Sequence, residues 1–317
     1  MAKLMMSFDP SGANTRFLSR DEVRRAAPSV FAEKPAETTS GRYEYISTYQ
    51  IFDLLETSGY LPVRAMGKGD KEFGKHMVAF QHRDPLKMRD ASGSSNVSRM
   101  ILYNSHDGKS AYNLMAGAFR FVCENGTVLS DGEYGSAKIK HQGQDALYNV
   151  AQGIHEIGQY LPVAFGQLEQ WNEIHVDAEL TDLYGQAVLM ARYGKDGHDL
   201  LLPDGRIIEG NHEMIDFDAM KEAVPVRSPV TVEQIVMPRR PMDRNHNDLH
   251  TLFQVAQENS TKGGIRGTVV EANGRIKRRA TRGVTGIEAD RKLNQSLWVL
   301  TQAFEQLVRE NKAELVF

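Results

Sequence analysis

The feature that most constrains this fold is a succession of short apolar runs between residues 60 and 142, separated by polar, Gly-containing connections. The runs have the length and partial alternation of β-strands, and short connections favour antiparallel pairing of consecutive strands. The runs read YLPVRAMGKG, HMVAFQHR, SRMILYNSH, YNLMAGAFRFVCENGTVLS and YGSAKIKHQ. The sequence therefore predicts an antiparallel sheet whose first two strands form a long hairpin.

Beyond Ala146 the pattern changes to helical periodicity. Residues 146–195 are helix-like and interrupted only by Pro162, and residues 286–311 form an amphipathic helix. The apolar face of that last helix contains Leu293, Leu297, Leu300, Phe304 and Leu307. Strands followed by helices predict an α+β fold, in which helices from the C-terminal half pack an antiparallel sheet in the N-terminal half.

Local signals extend this prediction towards the N-terminus. Ser19 and Glu22 have capping-box spacing and predict a short helix that ends before Pro28. Residues 42–47 alternate and predict a strand, after which Thr48 is positioned to cap a helix that ends at Gly59.

The 317 residues suffice for one large domain or two ordinary ones. We expect residues 1–28 to form an N-terminal arm and short helix, and 29–145 a mainly antiparallel β region. Residues 146–317 are then a mainly helical region with a basic hairpin at 262–286. Residues 196–230 are rich in Gly, Pro and Asp and predict a surface excursion. We expect these regions to form one integrated domain.

The overall charge and the cysteine content exclude several classes. The net charge of −3 gives no overall attraction for nucleic acid, so any such binding must come from a local basic patch. Cys123 is the single cysteine, which excludes an intramolecular disulfide and a multi-cysteine zinc site, and we expect it to be buried as a small apolar residue. Without a long apolar run or a secretory signal, we expect a cytoplasmic protein with no membrane partner.

Two weak motifs favour structural interpretations. Residues 69–76 nearly match a phosphate-binding P-loop, but they lack the final Ser or Thr and lead into a strand, which predicts a charged hairpin tip. The pairs His76/His82 and His246/His250 have the spacing of a shared face, but neither has the third ligand of a zinc site. We therefore expect surface histidines, and neither a metal nor a cofactor.

The strongest local signal is basic. Between Lys262 and Arg282 seven cations accompany one anion, Glu271, which gives a local charge of +6. Asn273-Gly274 predicts a two-residue turn and hence a basic β-hairpin. Such a hairpin is either a solvated charged segment or a phosphate-binding surface without sequence readout. The residues expected to bind DNA phosphates are Lys262, Arg266, Arg275, Lys277, Arg278, Arg279 and Arg282, with Arg239 and Arg240 as a second, smaller patch.

The stretch NSHDGKSAY, residues 104–112, collects catalytic residue types within nine positions. A catalytic triad is assembled in space rather than from adjacent residues. Asp107-Gly108 is a common hairpin-turn pair, and Asn104 and Ser105 can bond neighbouring backbone, which favours a polar strand junction. The alternative is a hydrolase or nuclease loop that uses His106, Asp107 and Ser110 or Lys109.

Four blocks carry a resemblance to a known family. They are VRRAAPSVFA (23–32), RYEYIST (42–48), NSHDGKSAYNLMAGAFRFVCENG (104–126) and QENSTKGGIRG (257–267). In this order they resemble domain-of-unknown-function family 932, an uncharacterised family encoded by phages and plasmids, over most of the chain. Residues 176–228 carry no such resemblance. The resemblance implies a cytoplasmic role in handling the DNA of mobile elements, but it assigns no catalytic residues.

A sheet backed by helices, with a cationic groove, is also similar in architecture to single-strand annealing proteins. We therefore predict a DNA-binding accessory protein of a phage or plasmid that binds or anneals single strands in replication or recombination. We expect a homo-oligomer that tracks the phosphate backbone and stacks bases on aromatic side chains. The balance favours a protein that is not an enzyme, and two alternatives stay open: the hydrolase or nuclease, and a protein-binding inhibitor of host defence.

Overall fold

A computed structural model describes residues 16–84, 96–110, 112–120, 125–129, 136–139, 146–193, 228–245, 247–270 and 275–314. The chain divides into two compact units, residues 1–165 and 166–317. The fold is α+β, with an antiparallel sheet in the N-terminal half and helices in the C-terminal half, as the sequence predicts. The predictions for Cys123, His246, Asn273-Gly274 and most of the 196–230 excursion lie outside the described residues.

The helices of the described residues are α1 (Arg20–Ala26), α2 (Thr48–Thr57), α3 (Ala146–Asn172), α4 (Ala178–Tyr193), α5 (Val232–Ile235), α6 (Leu249–Lys262) and α7 (Ile287–Glu314). Short 3-10 helices cover Pro28–Phe31 and Pro241–Asp243. The strands are β1 (Tyr60–Lys68), β2 (Lys75–His82), β3 (Asn96–Asn104), β4 (Tyr112–Arg120), β5 (Asn125–Leu129), β6 (Ser136–Ile139), β7 (Gly263–Val270) and β8 (Ile276–Arg282).

The large sheet of the first unit is an antiparallel meander. Its strand order is β1-β2-β3-β4-β5, and β6 also pairs with β4. Val78 of β2 lies opposite Leu102 of β3, which in turn lies opposite Leu114 of β4, so the three side chains form one row. All three are fully buried. The predicted hairpin strand β2 and the strands β3 and β4 that follow it therefore contribute side chains to one apolar core.

Helices at the N-terminal end of the chain pack against this sheet. Ser19 and Glu22 form the predicted capping box at the start of α1. Ser47 rather than Thr48 is the N-cap of α2, because its side chain accepts a hydrogen bond from the Gln50 amide. The buried Phe52 of α2 meets Phe80 of β2 edge to face, with ring centroids 5.1 Å apart. Such aromatic pairs stabilise a core beyond the area that they bury.

Two further local predictions are wrong. Residues 42–47 are not a strand, because the side chains of Tyr43 and Tyr45 bond to carbonyls of Ser105 and Ala32, and the described backbone there makes no ladder. Alternation of apolar and polar residues indicates which side chains point inwards. A segment without regular secondary structure can show the same alternation as a strand. Helix α3 continues through Pro162 instead of ending there.

The second unit is built around aromatic side chains from four helices. The rings of Trp171 and Trp298 lie 4.8 Å apart, and Trp171 meets Phe253 edge to face at 5.2 Å. Tyr184 packs against Phe304 at 5.1 Å. Four of the five residues of α7 predicted to face inwards are fully buried, namely Leu293, Leu297, Leu300 and Phe304, and Leu307 is half-buried. No helix of the described residues combines the length and apolarity that crossing a membrane requires.

Candidate functional site

The basic segment forms the predicted two-stranded hairpin from β7 and β8. Arg266 lies opposite Ala280, and Thr268 lies opposite Arg278. Because side chains two residues apart share a face of a strand, Arg278 and Arg282 lie on the face that also contains Arg266. All three side chains are exposed. We call this set, Arg266, Arg278 and Arg282, the arginine face.

The opposite face of the hairpin is covered by the chain. Gly267 is buried, and a Cβ built there would lie 1.8 Å from the carbonyl oxygen of Pro229. Glycine therefore allows the segment around Pro229 to approach β7. With one face covered and the other exposed, the arginine face is the solvent side of the hairpin.

The other predicted phosphate-binding cations have different surroundings. Lys262, at the end of α6, lies 3.4 Å from a carboxylate oxygen of Glu258. Arg275 is exposed and Lys277 is half-buried. The side chain of Arg279 lies outside the described residues, although its backbone pairs with Gly267. The arginine face is thus the part of the predicted set that the hairpin register brings together.

Arg239 and Arg240, the predicted second patch, support the base of the hairpin. Arg240 donates to both carboxylate oxygens of Glu258, at 3.0 and 2.7 Å. Burial raises the pKa of the Glu258 carboxyl, but the hydrogen bonds from Arg240 and the charge of Lys262 outweigh it and lower the pKa. Arg239 donates to the carbonyl of Gly263 at 2.6 Å. Both guanidiniums therefore hold α6 and the start of β7.

The NSHDG block lies at a junction between β3 and β4, as turn chemistry predicts. Gly108 has a φ of +74°, which suits glycine. Asp107 Oδ1 accepts hydrogen bonds from Ser105 Oγ at 2.6 Å and from the Lys109 amide at 3.0 Å. Ser105 Oγ also lies 2.5 Å from Ser110 Oγ. The Asp107 carboxylate therefore accepts the hydrogen bonds that stabilise this turn.

His106 belongs to a buried polar cluster centred on Thr48. Its Nε2 lies 3.3 Å from Thr48 Oγ1, and His76 Nε2 lies 2.9 Å from the same oxygen. Asn104 donates to Thr48 Oγ1 at 2.9 Å. His76 Nδ1 lies 3.0 Å from Ser29 Oγ. We call these five residues, Ser29, Thr48, His76, Asn104 and His106, the histidine cluster.

The hydrogen-bond partners determine the tautomers of the two rings. His76 Nδ1 lies 3.1 Å from the Gly74 carbonyl, which can only accept, so Nδ1 carries the proton. His76 Nε2 therefore accepts the Thr48 hydroxyl proton. Thr48 Oγ1 also accepts a hydrogen bond from Asn104, which uses one of the two lone pairs of the oxygen. The second lone pair of Thr48 Oγ1 accepts from His106, which therefore donates through Nε2–H. The hydroxyl then makes the one donation and two acceptances that it can make.

This arrangement disfavours a charged imidazole. Burial, followed by the effect of neighbouring His106, lowers the pKa of His76 to about 3, against the opposing hydrogen bond to Gly74. Protonating Nε2 of His76 would aim a further N–H at the Thr48 oxygen, which already accepts two. The His76 imidazole is therefore neutral at physiological pH.

The prediction of surface histidines is wrong for His76, His82 and His250, the members of the two pairs that the structure describes. His76 is 0% exposed, His82 7% and His250 7%. Even spacing along β2 places His76 and His82 on a shared face, but β2 is buried along most of its length. In the part of the chain that the structure describes, no group of three or more His, Cys, Asp or Glu side chains is arranged to hold a metal.

The hydrolase alternative places its residues in different environments. His106 is fully buried beside Tyr45 and His76, with ring centroids 5.0 and 5.2 Å away. Asp107 serves the turn, as described, and Lys109 is largely exposed. The hydrolase or nuclease alternative stays a prediction.

Sequence reasoning missed Thr48 as the centre of the histidine cluster. It lies 28 residues from His76 and 58 from His106, so no local spacing connects them. It also missed Arg192, whose guanidinium donates to the carbonyls of Ser260 at 2.9 Å and Arg282 at 3.2 Å and so ties α4 to the hairpin. Contacts of this kind arise from the fold and leave no motif.

Comparison with known proteins agrees with the resemblance seen in the sequence. A protein-family model described as "Domain of unknown function (DUF932)" matches residues 35–298. The chain belongs to this family. The family range contains the arginine face and, except for Ser29, the histidine cluster.

Relatives in Escherichia coli (strain K12) align over nearly their whole length. The chain is 32% identical over 293 residues to UPF0380 protein YafZ, covering 91% of this chain and 92% of that protein. It is 31% identical over 292 residues to UPF0380 protein YfjQ, covering 90% of this chain and 91% of that protein. No solved structure matches the chain.

Proposed function

We propose that this protein binds nucleic acid through the arginine face, as a DNA-binding accessory protein of a phage or plasmid that prefers single strands. The observation that supports the proposal is the exposure of Arg266, Arg278 and Arg282 on one face of a hairpin, in a protein whose net charge is −3. A local cationic surface on an otherwise acidic molecule attracts phosphate to that surface alone.

The spacing of the arginine face suits an extended strand. Arg278 and Arg282 are four residues apart on β8, which corresponds to about 13 Å between their Cα atoms. Arg266 lies opposite Ala280, midway between them. The three Cα atoms thus follow one another in steps of about 7 Å along the strand direction, so their guanidiniums can each reach a phosphate of one extended backbone. Guanidinium suits this task because its planar donors bind phosphate oxygens in pairs.

Most described aromatic side chains of the second unit are unavailable for stacking on bases, although Tyr193, whose ring lies beside Arg192, is half-buried. The rings of Trp171, Tyr184, Phe253, Trp298 and Phe304 are all fully buried there. The proposal therefore rests on phosphate contacts, which bind without reading sequence. Assembly into a homo-oligomer, which annealing requires, is a further part of the proposal, and sedimentation with and without oligonucleotide measures it.

The test is a fluorescence anisotropy titration of a labelled single-stranded oligonucleotide, from about 50 to 200 mM salt. The variant replaces the arginine face together: Arg266→Gln, Arg278→Gln and Arg282→Gln. We expect weaker binding and a salt slope that is smaller by about 2, because each lost phosphate contact on a single strand contributes about 0.7.

A matched control removes three exposed arginines from the first unit, Arg42→Gln, Arg64→Gln and Arg83→Gln, with the same change of net charge. It should keep the wild-type slope. The proposal fails if the wild type does not bind at about 50 mM salt, or if both triple variants lose the same slope. A protein that binds no DNA but forms a stable complex in nuclease-treated host lysate would favour the protein-binding alternative.

A further inference from the structure

A cleft of about 660 Å³ lies on the first unit. One wall is formed by the 3-10 helix Pro28–Phe31 and the residues after it, including Glu33 and Lys34. The other wall is formed by Lys71 and Glu72, in the connection between β1 and β2. The volume is within the range of about 300–1,000 Å³ that ligand sites usually have.

The histidine cluster joins the two walls of this cleft. His76 Nδ1 lies 3.0 Å from Ser29 Oγ, in the 3-10 helix of the first wall, and 3.1 Å from the carbonyl of Gly74, just after the second wall. The amide of His106 donates to the carbonyl of Phe73 at 2.9 Å. These buried contacts fix the position of one wall against the other. A site that is ordered before its ligand arrives loses less conformational entropy on binding.

The side chains that line the cleft are apolar at one position and charged at four. Phe31 is half-buried, and its ring packs against those of Tyr49 and Phe52, with centroids 5.5 and 6.1 Å away. The four charged side chains are exposed, and within the described residues none of them forms an ion pair. Each wall presents one carboxylate and one ammonium group, since Glu33 precedes Lys34 and Lys71 precedes Glu72. The cleft therefore suits a ligand that has apolar groups and both charges.

The first residues of the chain have this combination of groups. They read MAKLMMSFD, with four large apolar side chains between Lys3 and Asp9. Apolar side chains gain free energy when they leave water, so such a run favours a site that covers it. The ammonium of Lys3 is complementary to the carboxylates of the cleft, and the carboxylate of Asp9 is complementary to its ammonium groups. We call residues 3–9 the N-terminal segment.

The chain between the N-terminal segment and the cleft is long enough to connect them. The amide of Leu18 donates to the carbonyl of Pro62 at 2.7 Å, near the start of β1. Ala27 lies at the other end of β1, because a Cβ built on Gly67 would be 3.1 Å from its Cα. Pro62 and Gly67 are five residues apart, or about 17 Å along the strand. The ten residues from Phe8 to Leu18 span up to about 33 Å, so the N-terminal segment can reach the cleft beside Ala27.

We propose that the N-terminal segment binds in this cleft of its own chain. Its apolar side chains pack against Phe31 and Pro28, Lys3 pairs with the carboxylates, and Asp9 pairs with the ammonium groups. The covalent connection favours this occupant over a foreign peptide, because a short tether gives an effective concentration of about a millimolar. Contacts that are individually weak, such as exposed ion pairs, then suffice for occupancy. The inference does not depend on nucleic-acid binding by the arginine face.

The experiment measures how tightly the full chain binds a fluorescein-labelled synthetic peptide with the sequence of residues 1–15. Anisotropy titrations compare the wild type with a full-length segment variant, in which Leu4, Met5, Met6 and Phe8 are replaced by serine. Far-ultraviolet circular dichroism checks that each protein is folded. We expect the segment variant to bind the peptide at least about ten-fold more tightly, because the wild-type segment competes with the peptide at its high effective concentration.

A charge reversal locates the peptide in the cleft. In the segment variant, Glu33→Lys with Glu72→Lys should weaken binding of the peptide about three-fold or more, because attraction of Lys3 becomes repulsion. A peptide with Lys3→Glu should regain most of this loss. The matched control, Glu173→Lys with Glu179→Lys, makes the same change of net charge at exposed positions of the second unit and should leave the affinity unchanged.

Three results would overturn the inference. Equal affinity of the wild type and the segment variant for the peptide, or no binding by either, excludes the N-terminal segment as the occupant. An equal loss in the control pair, or no recovery with the Lys3→Glu peptide, excludes the cleft as its site. If the wild type excludes the peptide only at concentrations at which sedimentation shows a dimer, the segment of a second copy is the occupant, and binding within one chain is refuted.

Discussion

Replacing Thr48 with valine removes one hydroxyl from the middle of the histidine cluster and changes the shape of the side chain very little. Thr48 is fully buried, and its oxygen lies 2.9 Å from His76 Nε2, 2.9 Å from Asn104 Nδ2 and 3.3 Å from His106 Nε2. The substitution therefore removes three hydrogen bonds at once.

The cost follows from these three contacts. A hydrogen bond contributes about 0.5–1.5 kcal/mol net, and a buried polar group that loses its partner costs about 1–3 kcal/mol. Because the longest contact is the weakest and the cluster retains other bonds, we expect the free energy of unfolding to fall by about 3 kcal/mol. In a unit of this size that corresponds to a melting temperature lower by about 6–12 °C.

Urea denaturation at pH 7.5, with thermal denaturation alongside, measures this change against Thr48→Ser. Serine keeps the hydroxyl and loses one methyl group, which costs about 1 kcal/mol in a packed core. Valine should therefore be the more destabilising change by about 2 kcal/mol. If Thr48→Val is as stable as Thr48→Ser or more so, the hydroxyl is not the centre of a stabilising network and the tautomer assignment is wrong.

Two further predictions concern the same unit. Because the pKa of His76 falls from 6.5 in the unfolded chain to about 3 in the folded protein, the free energy of unfolding should decrease as pH falls from 6.5 towards 3, by about 1.4 kcal/mol per pH unit in the middle of that range. Urea denaturation of His76→Asn should show a shallower decrease with pH. Equal slopes for the wild type and this variant would contradict the lowered pKa of His76. Gly108→Val should lower the free energy of unfolding by about 1–3 kcal/mol, because the φ of +74° strains a β-branched residue. The control Gly41→Val, at a position with no atom within 4 Å of the added Cβ, should change the melting temperature little. Equal effects of the two substitutions would refute the strain argument.

The block NSHDG illustrates how far local chemistry predicts a structure. Asp107-Gly108 is recognisable as a turn because the turn needs only the adjacent backbone, and Tyr112 and Leu114 are recognisable as strand residues by alternation. Both expectations are confirmed. The burial of His106 is not recognisable locally, because it depends on Thr48 and on a ring from β2 that reach it only in the folded chain.

The basic hairpin divides in the same way. Its charge and its two strands are apparent in the sequence, since a cluster of cations and alternating strand residues are local properties. Which cations share the exposed face depends on the register of β7 against β8, and on the close approach of Pro229 to Gly267. Arg239 and Arg240 look like a second patch in the sequence, but their partners on α6 and β7 make them supports of the first.

The sequence by itself determined the α+β class, the order of strands and helices, and the family, because periodicity, turn residues and motif order are written along the chain. Tertiary structure alone decided that residues 42–47 form no strand, that His76, His82, His106 and His250 are buried, and that Thr48 bonds two of them. These properties depend on atoms brought together from distant positions. Burial and hydrogen bonding depend on which residues are neighbours in space. Local sequence patterns do not reveal these neighbours when they come from distant parts of the chain.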